Sequence, residues 1–178
     1  MKKSLVIFLM MSLALFGYEV SSVEVGFTAF KTPAKVGVSG SFNNVEIADQ
    51  KSAESVEALL NGLSVKIQTK SVNSGNEGRD KKLVSDFFHV QFTHAIEAKI
   101  VSVKPDSLEV EITMNSKKVT VPMLYKVKEN SVMAKGYIDL GDFDMLASLK
   151  GINKACYDLH AGKTWQDVEV GFLLNFQP

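Results

Sequence analysis

The most reactive side chains lie near the C-terminal end, where Cys156, Asp158 and His160 place a thiol, a carboxylate and an imidazole within five residues. That grouping is the raw material of a cysteine nucleophile activated by a nearby base. Catalytic partners usually meet through the fold rather than along one short segment, and no oxyanion-hole motif accompanies these three. No catalytic residue is therefore assigned. His89 and His94 with Asp86 offer metal-ligating atoms. Their five-residue separation sets the two imidazoles on neither one helical face nor one strand face, so no metal site and no cofactor is assigned. Arg79 is the only arginine, and its planar guanidinium suits a phosphate or carboxylate. It could meet a ligand headgroup, as could Lys31 beside the first turn. The structural alternative is an Arg79-Asp80 pair fixing the loop before a short helix, with the carboxylate favoured at the helix start. Trp165, just before the last strand, could close one end of a barrel or cover a ligand.

The elements that must position these residues are mostly strands. Lys2 and Lys3 precede an apolar run from Leu5 to Phe16, with Gly17 after it. As a helix that run reaches roughly 18 Å, short of a ~30 Å hydrocarbon core. It reads as a cleavable signal peptide over residues 1–17, which implies export to the periplasm. From residue 20 onward period-2 alternation dominates. Val23, Val25 and Phe27 open it, followed by Val36, Val38 and Phe42, then Leu63, Val65 and Ile67. Leu108 to Met114, Val119 to Val127, Val132 to Ile138 and Val168 to Phe176 continue the pattern. Tight turns between successive strands imply antiparallel pairing. Three short helical pieces interrupt: one capped by Ser52 and ended by Gly62, one from Arg79 to Phe88, and one or two turns from Phe143 to Leu149 with Gly151 after them.

About eight strands in one domain over residues 18–178 predict an all-β, antiparallel eight-stranded barrel with short helical insertions, with a two-sheet sandwich as the competing architecture. Such a lumen is either filled by side chains or holds one small ligand. The inward faces supply Phe27, Phe42, Ile67, Val110, Ile112, Val121, Met123 and Tyr125, with Phe87 from the second helical piece and Trp165 at one end. Twenty basic residues balance twenty acidic ones, so no basic field exists to hold nucleic acid. A single cysteine excludes an internal disulfide.

Val25-Gly26-Phe27-Thr28-Ala29-Phe30 and Val38-Ser39-Gly40-Ser41-Phe42 resemble the opening of YceI-like periplasmic proteins. The likeness continues through Val65-Lys66-Ile67-Gln68-Thr69-Lys70-Ser71-Val72, Gly78-Arg79-Asp80-Lys81-Lys82-Leu83 and Ser85-Asp86-Phe87-Phe88. Where many members carry a histidine after the first strand, this chain reads Phe30-Lys31-Thr32. The resemblance implies a lipocalin-like barrel that binds an isoprenoid or another long-chain amphiphile, without a shared catalytic activity. A carrier of a long-chain lipid, with transient membrane contact and a homodimer covering its apolar mouths, is the function expected. A stress-protective or interaction protein with a solidly filled barrel is the alternative.

Overall fold

The computed structural model describes residues 17–48, 52–92 and 95–178. The signal peptide, apart from Gly17, and His94 of the His89/His94/Asp86 trio lie outside the described residues.

Alternation becomes burial most plainly in three consecutive strands. They are β8 (Ser107–Met114), β9 (Lys117–Lys128) and β10 (Ser131–Asp139), in which every second residue is buried over most of the length. A period of two is what sends successive side chains to opposite faces of a pleated strand. Val127, at the lip of β9, keeps the alternating position but is exposed, because the wall there extends past the core.

The other strands are β1 (Tyr18–Lys31), β2 (Val36–Phe42), β3 (Val45–Ile47), β4 (Ser52–Ala53), β5 (Ser64–Ile67), β6 (Val72–Asn73), β7 (Ile96–Val103) and β11 (Thr164–Gln177). They join in the order β3-β5-β7-β8-β9-β10-β11-β1-β2-β6, with β4 beside β1. All pairings are antiparallel. Asn43 and Asn44 carry the β2 run directly into β3, which pairs with β5. The two ends of the path therefore come together and the sheet curls into a barrel. Its staves are β1, the β2–β3 run, β5, β7, β8, β9, β10 and β11. At the seam the Asn43 amide donates to the Ser71 carbonyl at 2.9 Å and the Gln68 amide to the Asn44 carbonyl at 3.0 Å.

Three helical insertions sit on this barrel, each placed differently from the sequence expectation. The first, α1 (Val56–Leu60), is capped by Ser55, whose hydroxyl accepts from the Ala58 amide at 3.1 Å. Ser52 instead pairs with Glu19 in β4. A cap must sit three residues before the amide it satisfies, and Ser55 meets that condition for the turn that buries Leu59 and Leu60. The second insertion starts at Glu77 behind the Asn76 cap. It runs through α2 (Glu77–Leu83), a π-helical turn (Val84–Phe88) and α3 (His89–Gln91). The third, α4 (Leu146–Ala155), runs straight through Gly151.

Gly151 is therefore no helix stop. A Cβ there would collide with the Asp86 carbonyl oxygen and lie 3.1 Å from Val90 Cγ2, so α4 and the π turn touch backbone to backbone at this residue. In an open helix, replacing glycine by alanine gains about 1 kcal/mol. Here the sign reverses: Gly151→Ala is expected to lower stability by about 1–3 kcal/mol through overpacking, read from the urea midpoint. An unchanged or raised midpoint would show that the two helices do not meet at Gly151.

Candidate functional site

Side chains fill the barrel unevenly. Near the start of β1, Val20 packs with Leu59, Leu60, Val132, Leu174 and Phe176, all nearly or wholly buried, and the Tyr18 and Phe176 rings meet edge to face at 5.3 Å. A second dense cluster surrounds Phe143 and Met145 at the start of α4. Between these plugs a cavity of about 490 Å³ remains, overwhelmingly apolar in its walls. Small-molecule sites commonly occupy about 300–1,000 Å³. Along β1 the cavity is bordered from Val23 to Lys31, a stretch of roughly 26 Å at about 3.3 Å per residue. The space is elongated, as a chain-shaped guest requires.

One wall is aromatic. Phe27 and Phe42 lie 5.6 Å apart, Phe42 and Phe88 6.1 Å, and Phe87 and Phe88 5.0 Å. Gly40 makes the first of these contacts feasible, since a Cβ on it would lie 2.6 Å from Phe27 Cζ. The facing wall is aliphatic, from Ile67 on β5, Ala98 on β7, and Val110 and Ile112 on β8.

Of the residues singled out in the sequence, Phe27, Phe42, Ile67, Phe87, Val110, Ile112, Met123 and Trp165 border this cavity, as do Arg79 and Lys31. Val121 and Tyr125 do not. Both point inward and are buried, but alternation identifies a face and not a depth. Val121 packs close beside Gly136 in the β9–β10 wall. Tyr125 lies toward the α1 plug, where burial first, then the Glu57 and Asp106 carboxylates, push its phenol above the ordinary pKa. The α4 face went unnamed in the sequence reading, although Leu149, Ile152 and Cys156 border the cavity. Their spacing of three and four is that of one helical stripe. The signal was legible there but was cut short by reading Gly151 as a stop.

Polar groups gather at the end of the cavity where β1 finishes. Arg79 is largely committed to its own loop: Nε donates to Ser74 Oγ and Nη2 to the Ser74 carbonyl, both at 2.7 Å. Asp80 accepts from the Ser74 amide at 2.9 Å and from its hydroxyl. Arg79 and Asp80 thus fix the loop through a shared serine rather than by pairing directly. Trp165 donates Nε1–H to the Thr32 carbonyl at 2.8 Å, with the Lys163 ammonium 4.6 Å above its ring, and so ties β11 to the first turn. Cys156 is buried at the end of α4, and its carbonyl accepts from the His160 amide at 2.9 Å.

His160 sits in the 3₁₀ turn Asp158–His160 and holds Thr164 Oγ1 through Nδ1 at 2.7 Å. Burial, then the charges of Lys31 and Lys82, hold its pKa below the ordinary 6.5. The folded state therefore takes up this proton less readily than the unfolded chain, so the contribution is fully present above about pH 6.5 and is lost as pH falls toward the lower folded value. The urea midpoint is expected to fall on acidification from pH 7 into this window, and His160→Asn to remove that part of the fall. Equal slopes in both proteins would show that His160 is not held neutral.

Solved structures share this architecture. A polyisoprenoid-binding domain from Saccharophagus degradans, implicated in plant cell wall breakdown, superposes with a TM-score of 0.63 at 12% identity, covering 90% of this chain and 97% of that one. Burkholderia cenocepacia BcnA gives 0.57 at 16% identity, covering 88% and 96%. The Campylobacter jejuni YCEI protein gives 0.53 at 16% identity, covering 80% and 86%. At such identities the likeness is one of fold. Comparison with proteins of curated function finds no match. Residues 18–176 match the model of the YceI-like domain, and the chain accordingly belongs to the YceI-like family.

Proposed function

We propose that this protein is an exported carrier that holds a long-chain amphiphile, isoprenoid or fatty-acid-like, inside its barrel without chemical turnover. The observation that carries this reading is the elongated apolar cavity of about 490 Å³ between two packed plugs. Removing a chain from water is worth about 0.8 kcal/mol per methylene, so a twelve-carbon segment grosses around 10 kcal/mol before ordering costs. A binding site of this kind needs no catalytic group. The Saccharophagus relative, described as polyisoprenoid-binding, supports a lipid as the class of guest. Leu159 is 68% exposed yet borders the cavity, which supports that side as the entrance for a chain. The charged start and apolar run of residues 2–16 support export to the periplasm.

Protein purified from its own compartment is expected to release a long-chain lipid on organic extraction, and the stripped protein to take up a fluorescent fatty acid or prenol. Ala98→Trp, which projects an indole from the β7 wall into the cavity, separates this reading from a filled barrel. It is expected to weaken uptake by about tenfold or more while shifting stability by less than about 1 kcal/mol. A filled core would instead lose about 1–3 kcal/mol from the added bulk. An empty extract together with no uptake of either probe would remove the carrier reading.

A further inference from the structure

Lys31 ends β1 and stands directly opposite Thr164 of β11. Residues so paired present their side chains to the same face of the sheet, and both border the cavity. The Thr164 hydroxyl donates to Asn153 Oδ1 at 2.8 Å, while the Asn153 amide nitrogen reaches the Gly162 carbonyl at 3.3 Å. With that proton committed, the contact between Thr164 Oγ1 and His160 must be made by an Nδ1–H of the imidazole. Strand, turn and α4 are thus locked together around one end of the cavity. Lys82 arrives there from α2, donating to the Ala155 carbonyl at 3.0 Å and leaving two ammonium hydrogens free. The Ala155 carbonyl that Lys82 meets lies one residue before Cys156, whose carbonyl accepts from the His160 amide, and His160 in turn holds Thr164, the residue opposite Lys31.

Two features of the cavity concern charge. Among the described residues bordering the cavity there are four cations, Lys31, Arg79, Lys82 and Lys99, and no aspartate or glutamate. Lys35, Lys104, Lys117, Lys118 and Lys135 each meet a carboxylate elsewhere. Lys31 as a residue is half-buried, and its ammonium meets neither a carboxylate nor a hydrogen-bond acceptor among the described residues. An ammonium without a counter-charge beside an apolar space is free to meet an anionic group there.

We infer that the amphiphile held in the cavity carries an anionic oxyacid head, carboxylate or phosphate, seated between Lys31 and Lys82 with its chain running toward the α1 plug. This rests on the carrier reading and names the chemistry of its guest. A free or doubly shared oxyanion suits the two ammonium groups, and charge-assisted bonds are about twice as strong as neutral ones. A neutral alcohol of the same length would leave Lys31 as uncompensated as it is now.

The test uses the stripped protein with three guests of one chain length: dodecanoate, dodecyl phosphate and dodecanol, each read by displacement of a fluorescent probe. Either or both anions are expected to bind about tenfold more tightly than the alcohol, and the order of the two anions separates a carboxylate guest from a phosphate one. Lys31→Met breaks no bond among the described residues and is expected to bring the anion-to-alcohol ratio toward unity; Lys82→Met should act in the same direction. Lys104→Met, which removes a surface pair with Glu109, is the control and leaves the ratio as it was. Equal binding of all three guests, or an anion preference that survives Lys31→Met and Lys82→Met together, overturns the anionic head while the carrier reading stands. Failure of all three guests to bind overturns both.

Discussion

Backbone hydrogen bonds set the spacing between the staves of this barrel, and no side chain can draw the walls closer than that ladder allows. An eight-stranded lumen is about as wide as inward side chains can fill. The residue sizes at each level therefore decide whether the centre is solid or hollow. Leu59, Leu60 and Phe176 close one level, and Phe143 with Met145 closes another. Between them Ala29 and Ala98 are among the inward residues, and the walls there do not meet. The hollow is a consequence of side-chain volume on a fixed frame.

The helices complete the enclosure and hold the polar end in place. The π turn presents Phe87 and Phe88 to the cavity and its Asp86 carbonyl to Gly151 of α4. That close approach brings Leu149, Ile152 and Cys156 against the same space. Ser74 gathers Arg79 and Asp80 onto one loop, so the guanidinium serves that serine through two of its nitrogens, Nε at the hydroxyl and Nη2 at the backbone carbonyl. Lys82, one helical turn further on, crosses to the carbonyl end of α4, where a cation is favoured by the helix dipole. The same contacts that fasten α2 to α4 therefore place a positive charge at the rim of an oily space, near a histidine whose pKa burial and the lysine charges hold below its ordinary value.

Much of this was legible in the chain. The alternation in β8, β9 and β10 named the inward face residue by residue, and the short turns between them required antiparallel neighbours. The strand–loop–helix order from Val65 to Phe88 carried the family likeness that the match over residues 18–176 establishes. These are local properties: periodicity and turn chemistry act between residues a few positions apart. What the tertiary structure alone decided depends on residues distant in sequence. It set the depth at which an inward side chain lies, so that Met123 borders the cavity while Val121 and Tyr125, on the same face of the same strand, are packed away from it. It also gave Gly151 its meaning, since only the arrival of the Asp86 carbonyl from another helix explains a glycine inside α4. The convergence of Lys31, Lys82 and His160 was likewise invisible in a sequence that spreads them over three elements, because Coulomb interaction depends on separation in space and not along the chain.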